Sequence, residues 1–223
     1  MPLDTNDWIQ DTGSVNSTIT ILHHTASPVN GNRSVRTTIT NGGIAGTKGS
    51  AALFLDTTNH TRGFNLGRIR TLIRVDQEVD HAGIYCVGSQ DVGIAGAGSA
   101  YVFGPAGSTH ELTLSKLDAG LFDETPSILA STGVTLGAAP TAVKAIELEW
   151  RADLGIFGGT QLICRAGDAI DFSDLAVVAQ FVDESLPLLS ASSEGLFAFR
   201  AGITAVGQVT FDDTSVFETT ITP

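Results

Sequence analysis

Short segments of alternating apolar and polar residues recur along this chain, with turns rich in Gly, Asn and Asp between them. In residues 145–151, the apolar side chains of Ile146, Leu148 and Trp150 occupy every second position and charged residues occupy the others. Because successive side chains of a strand point to opposite faces, this pattern is typical of a strand with one buried face. Strands that recur about every 8–12 residues predict an all-β sandwich or barrel.

The weaker segments follow the same pattern. The first ten residues are polar around Trp8 and are expected to form an arm or an edge strand, with 1–16 as the bounds of the possible arm. Residues 173–184 begin with Ser and have the length of a helix, but their β-branched and aromatic residues favour a strand centred on 177–181. Residues 118–140 are expected to be mainly turns. With no internal repeat and no linker, the 223 residues predict a single domain over 1–223.

Composition excludes two classes of partner. The formal net charge is −12, and a chain this acidic repels nucleic acid. No apolar run reaches the roughly 18 residues of a membrane helix. The N-terminus lacks the basic and apolar regions of a signal peptide, so we expect no export and interpret the sequons at Asn16, Asn32 and Asn59 as chance matches.

The arginines of one strand and the two cysteines allow alternative interpretations. Arg68, Arg70 and Arg74 should share one sheet face, either as a solvated face or as a contact surface. Cys86 and Cys164 lie in apolar segments and predict buried thiols. The sequence leaves open whether they pair as a disulfide.

Several segments of the C-terminal half resemble a concanavalin A-like or laminin-G-like domain. The "E-x-E-W-x-A" strand of that family is similar to residues 146–152 (IELEWRA), and its closing "G-x-V-x-F-D-D" strand is similar to residues 207–213 (GQVTFDD). Residues 161–164 (QLIC) and 193–199 (SEGLFAF) lie between them. The resemblance implies a concanavalin A-like jelly-roll sandwich of two antiparallel sheets.

The resemblance also directs attention to acidic residues. Related jelly-roll glycosidases carry two catalytic carboxylates on one strand, and Glu147 and Glu149 have that spacing, but the third acid of the pattern is replaced by Arg151 or Ala152. Some laminin-G-like domains bind calcium through loop acids, which makes 212–213 and 183–184 candidates, although turn-capping is the simpler role. We therefore expect no catalytic, cofactor or metal site, with calcium as the alternative.

Other motifs point to no chemistry. His23 and His24 are adjacent and should point to opposite faces of a strand. The remaining histidines, His60, His81 and His110, are scattered without metal-ligand spacing. The glycine-rich segment 93–98 lacks the Lys-Ser/Thr of a phosphate-binding loop, so we interpret it as a β-loop.

Domains of this type resemble components of tailed-phage virions. That resemblance implies a non-enzymatic structural virion protein, made in the host cytoplasm and acting as a capsid decoration (cement) protein or tail component. The alternatives are a carbohydrate-binding, lectin-like module and, more remotely, a glycoside hydrolase.

The apolar runs 128–130, 134–136 and 186–189 lie among turn signals and are expected to be exposed. We therefore expect a homo-oligomer, with a trimer as the first expectation, that contacts other capsid or tail proteins.

Overall fold

A computed structural model of the 223-residue chain describes residues 8–24, 34–55, 65–88, 98–118, 126–152, 158–184, 187–188, 193–203 and 205–218. Within these ranges the regular elements are all β-strands. In chain order they are β1 (Trp8–Val15), β2 (Ser17–His24), β3 (Ser34–Asn41), β4 (Lys48–Leu55), β5 (Leu66–Gln77), β6 (His81–Gly88), β7 (Ala100–Ala106), β8 (Glu111–Leu117), β9 (Ser127–Thr135), β10 (Lys144–Ala152), β11 (Thr160–Gly167), β12 (Ala176–Asp183), β13 (Ser193–Ala201) and β14 (Val206–Glu218).

The strands form two antiparallel sheets. Sheet I has the order β1-β4-β13-β6-β7-β8-β9, and sheet II has the order β12-β11-β10-β5-β14-β3-β2. Strands distant in sequence, such as β4 and β13 or β5 and β14, are neighbours, so the chain crosses between sheets repeatedly. The prediction of an all-β, concanavalin A-like sandwich of two antiparallel sheets is confirmed.

The core lies between the sheets. Ile146, Leu148 and Trp150 of β10 all face it and are buried, as their alternation predicts. Phe211 of β14 belongs to the same cluster, whereas Phe199 of β13 is buried outside it. The predicted burial of Ile146, Leu148 and Trp150 is confirmed.

Trp150 packs on a glycine of the adjacent strand. Gly67 of β5 is its cross-strand partner, and a Cβ atom built on Gly67 would lie inside the van der Waals envelope of the Trp150 ring. Gly67 therefore provides the space that the largest core side chain occupies.

Two segments differ from expectation. Residues 127–135 form β9, which is the edge strand of sheet I, and are not a series of turns. The strand is not evident from the sequence because its serines and threonines interrupt the apolar pattern, which an edge strand tolerates.

The apolar runs are less exposed than predicted. Ile128 is 60% exposed, but Leu129, Val134 and Leu188 pack partly against the core, so the predicted exposure of these three side chains is wrong.

Two other ambiguous segments are strands. The strand alternative for 173–184 is confirmed by β12. Trp8–Val15 form β1, which pairs with β4 along its whole length at the edge of sheet I. The preceding part of the expected arm lies outside the described residues.

We expect the substitution Gly67→Ala to destabilise the fold by about 1–3 kcal/mol, because the added methyl group overpacks the Trp150 site. Trp150→Ala, which leaves a cavity, should cost about 3–5 kcal/mol. Denaturant unfolding monitored by fluorescence and circular dichroism measures both changes. Thr18→Ala on the exposed face of β2 is the control and should stay within about 0.5 kcal/mol. A Gly67→Ala protein of unchanged stability would show that the ring does not lie on Gly67.

Candidate functional site

The outer face of sheet II carries a charged surface at its centre. With Trp150 and its neighbours facing the core, Glu147 and Glu149 face outward from β10. In the sheet register, Arg70 of β5 lies opposite Glu147 and Arg68 lies opposite Glu149. The shared face predicted for the arginines of β5 is therefore the outer face.

Arg165 of β11 joins the two glutamates. Its Nη1 atom donates a hydrogen bond to Glu147 Oε1 at 2.7 Å, and its Nη2 atom donates one to Glu149 Oε2 at 2.9 Å. Arg68 Nε lies 3.8 Å from Glu147 Oε2, and Arg151 Nη2 lies 3.5 Å from Glu149 Oε1. We call these five residues the Arg–Glu ladder.

The ladder has the properties of a structural ion-pair network. The side chain of Glu147 is 5% exposed, so its charge needs a close partner. Partial burial works against the charged form of Arg165, yet the hydrogen bonds and charges of Glu149 and Glu147 raise the pKa of its guanidinium above the ordinary value. A retaining glycosidase uses one carboxyl group as an acid and the other as a nucleophile, whereas here both accept hydrogen bonds from one guanidinium.

Arg70 lies beside the ladder but does not join it. Its Cζ atom lies 4.5 Å from the ring centroid of Phe172 and 5.2 Å from that of Phe217. Among the described residues Arg70 makes no ion pair or hydrogen bond, and its Nε atom is buried without a partner. Phe217 also contacts Arg68, whose Cζ atom is 4.9 Å from the ring centroid. Cation–π contacts therefore hold the Arg70 guanidinium, leaving its hydrogen-bonding capacity unused.

The β11–β12 loop, residues 168–175, places Phe172 over Arg70. The Asp174 carboxylate accepts hydrogen bonds from the backbone N–H groups of Asp168 at 2.9 Å and Ala169 at 3.0 Å. These bonds lower the pKa of Asp174. Phe172 has a φ of 62°, a conformation that non-glycine residues adopt rarely. Lys144 Nζ, 2.7 Å from Asp168 Oδ1, ties the loop to β10.

An open pocket of about 550 Å³ lies between this loop and β14. On the β14 side, the register with β5 shifts between Asp212 and Ser215, and Asp213 has a φ of 46°. This irregularity disrupts the regular pairing of β14 where the strand borders the pocket. The residues that line the pocket are Arg70, Ile170, Asp171, Phe172, Asp213, Thr214 and Ser215. We call it the Arg70 pocket.

The pocket combines donors, acceptors and aromatic faces. Arg70 supplies N–H donors, and the exposed carboxylates of Asp171 and Asp213 supply acceptors. Ser173 donates hydrogen bonds to Asp171, which lower the pKa of that carboxyl. A ligand with hydroxyl or charged groups on an apolar frame matches this arrangement.

The acids considered for calcium do not come together. The Asp183 carboxylate accepts hydrogen bonds from Tyr101 Oη at 2.7 Å and Lys116 Nζ at 3.0 Å, where it joins the two sheets. Asp212 and Asp213 lie on β14, where Asp212 is buried and Asp213 lines the Arg70 pocket. The described residues contain no group of three or more His, Cys, Asp or Glu side chains placed to hold a metal ion.

The remaining candidates are dispersed. His81 stacks on Phe199 with centroids 6.2 Å apart, and His110 Nδ1 hydrogen-bonds to the Gly137 carbonyl at 2.7 Å. His23 lies on β2 with His24, while His60 and most of the glycine-rich segment lie outside the described residues. Cys86 and Cys164 are free, buried thiols, and burial raises the pKa of each.

Sequence reasoning missed Phe172 and Phe217. No local pattern of the sequence indicates that these two aromatic rings meet one arginine. The interpretation of Arg68, Arg70 and Arg74 as a contact surface was the nearest signal.

Comparison with known proteins shows the fold. No family model matches the chain, and no curated protein matches it. A mutant alginate lyase in complex with alginate trisaccharide matches with a TM-score of 0.50 and 8% identity, over 94% of this chain and 99% of that one. A structure described with endo-acting O-glycanases of human gut microbiota that initiate mucin breakdown matches with a TM-score of 0.54 and 12% identity, over 97% of this chain and 94% of that one. In the described residues we find no helix long and apolar enough to cross a membrane.

We expect Arg165→Met to destabilise the protein by about 1–3 kcal/mol, because it removes the close partner of the buried Glu147 carboxylate. Arg151→Met is the matched control. It removes a more exposed contact to Glu149 and should cost less than about 1 kcal/mol. Equal losses in denaturant unfolding would contradict the central place of Arg165 in the ladder.

Proposed function

We propose that this protein is a non-catalytic glycan-binding β-sandwich and that the Arg70 pocket is its binding site. The observation that carries the proposal is Arg70, a half-buried residue whose guanidinium contacts Phe172 and Phe217 and makes no ion pair or hydrogen bond to any described residue. Polar groups left unused at a concave surface are a common feature of ligand sites.

The chemistry of the pocket suits a sugar. A pyranose ring presents hydroxyl groups at its edge and C–H groups on its faces. The Phe172 ring offers an apolar face, Arg70 offers donors, and Asp171 and Asp213 offer acceptors. The pocket volume of about 550 Å³ falls within the usual range for small-ligand sites. The two sandwiches compared above, described with alginate trisaccharide and with mucin breakdown, belong to a fold that carries glycan sites.

Binding without hydrolysis is the form of glycan recognition that these residues favour. The glutamates of β10, which have the spacing of a glycosidase pair, are both bound to Arg165. Either would have to leave a charge-assisted hydrogen bond to act on a substrate. The expectation of a non-enzymatic protein therefore stays part of this proposal.

Self-assembly is the second candidate, in line with the virion role implied by the family resemblance. Large apolar side chains are exposed on the edge strands β9 and β12: Ile128 at 60%, Val177 at 50% and Val182 at 43%. Exposed apolar groups at sheet edges favour contact with other chains. A homo-oligomer or virion component would use these edge strands, whose exposed side chains are not among those that line the Arg70 pocket.

For the glycan proposal we expect a glycan array to identify at least one class of oligosaccharide that binds. Isothermal titration with that oligosaccharide should then show that Phe172→Ala weakens binding about tenfold, on the order of 1.4 kcal/mol, through loss of the aromatic face. Ile203→Ala removes an exposed apolar side chain elsewhere and should leave the affinity unchanged. Absence of binding across the array, or binding insensitive to Phe172→Ala, would refute the proposed site.

For the assembly candidate we expect light scattering to show a mass above that of one chain, and added salt to preserve or strengthen the association. Each chain carries a formal charge of −12, and salt screens the repulsion between copies. Val182→Thr should shift the equilibrium toward the monomer. A monomer at tens of micromolar at every salt concentration would exclude this candidate.

A further inference from the structure

We propose that the Arg70 pocket recognises the carboxylate of an acidic sugar, so that the glycan class bound by this protein contains hexuronic acid. This inference rests on the proposed function and makes it specific. The inference follows from three features: the side chains that surround the Arg70 guanidinium, its unpaired Nη donors, and the burial of the nearby charges.

The neighbours of Arg70 leave one part of its guanidinium for a ligand. Phe172 and Phe217 flank the group at 4.5 and 5.2 Å, and the Nε atom is buried. The two Nη groups have no partner among the described residues, and Arg70 lines the pocket. A pair of Nη donors with fixed spacing matches a planar carboxylate, which accepts two parallel hydrogen bonds.

The ladder explains why no protein carboxylate fills this position. Glu147 lies opposite Arg70 in the register, yet its Oε1 atom is held by Arg165 at 2.7 Å and its Oε2 atom lies 3.8 Å from Arg68. Glu149 is divided between Arg165 and Arg151. Three other arginines bind the two glutamates, and no ion pair is found for Arg70 among the described residues.

The acids at the pocket oppose an anionic ligand, but weakly. Asp171 and Asp213 are exposed, whereas Arg70 is half-buried beside two aromatic rings. Contact with water weakens the repulsion by the exposed aspartates, whereas partial burial strengthens the attraction by Arg70. No ion pair joins either aspartate to Arg70 among the described residues. The net local effect therefore favours a carboxylate placed on the Nη pair.

The neighbouring side chains would place the rest of the sugar. Phe217 contacts both Arg68 and Arg70, so its ring extends along β5 from the pocket toward the ladder. Arg68 and Arg70 are two residues apart on one strand, about 6.6 Å. The hydroxyls of Thr214 and Ser215 complete the opposite wall. A uronate bound to Arg70 would thus contact Phe172, and the next sugar of the chain would reach Phe217.

The test compares ligands that differ only in their acid group. Tetrasaccharides of galacturonate and of mannuronate are titrated into the full chain at constant ionic strength, alongside the same oligosaccharides with each carboxyl reduced to the neutral alcohol. We expect at least one uronate to bind at least tenfold more tightly than its reduced form. This comparison uses the unaltered protein and does not depend on the folding of a variant.

Variants locate the preference. Arg70→Met should abolish the difference between acidic and reduced ligand, and Arg70→Lys should lose most of it, because a point charge cannot form the paired hydrogen bonds. Arg151→Met removes an arginine of the same face outside the pocket and should change the uronate affinity by less than twofold. Near-ultraviolet circular dichroism confirms that each variant is folded.

The outcomes separate this inference from the proposed function. Equal affinity for acidic and reduced ligands, or a preference that survives Arg70→Met in a folded protein, overturns the carboxylate assignment while glycan binding stands. Binding of neutral glycans alone has the same meaning. Failure of every glycan to bind overturns the proposed function, and the inference with it.

Discussion

The burial of one face of β10 fixes the chemistry of the opposite face. Ile146, Leu148 and Trp150 pack between the sheets, and the two-residue period of a strand then forces Glu147 and Glu149 outward. A slip of one residue in register would place carboxylates in the core and Trp150 in solvent. The core, rather than any local preference of the charged residues, therefore sets the alignment of glutamates on β10 with arginines on β5 and β11.

Charge compensation then distinguishes the groups on this face that pair with each other from Arg70, which has no charged partner among the described residues. The glutamates of β10 have arginine partners, which offsets the cost of burying Glu147. Arg70 has aromatic neighbours instead, and cation–π contact contributes about 0.5–2 kcal/mol without using N–H donors. A positive φ at Phe172 and at Asp213 adds local backbone cost on both sides of the same pocket. Unused donors and uncommon backbone conformations collect at functional sites, and here they coincide.

The sequence predicted what depends on alternation and little of what depends on loops. The sandwich, the burial of Trp150 and the common face of the β5 arginines all follow from a two-residue period in strong strands. The β9 strand was missed because Ser131, Thr132 and Gly133 break that period at a sheet edge. The pocket was missed because it needs Phe172 to approach Arg70, which the fold of the 168–175 loop decides through Asp174 and not through any local pattern.

The contrast between the two outer faces supports placing the proposed ligand site on sheet II. On sheet I, the residues that alternate with the core include Ala52, Tyr85, Val102 and Phe197, and these form a second buried apolar cluster. A buried surface has no access to a soluble ligand, so the outer face of sheet I is closed where these residues lie. The corresponding face of sheet II keeps its charged groups partly in contact with solvent, with Arg68 exposed and Arg70 half-buried. The net charge of −12 does not contradict an anionic ligand there, because recognition at contact distance depends on the nearest unscreened charge, and the Debye length of about 8–10 Å limits the reach of the rest.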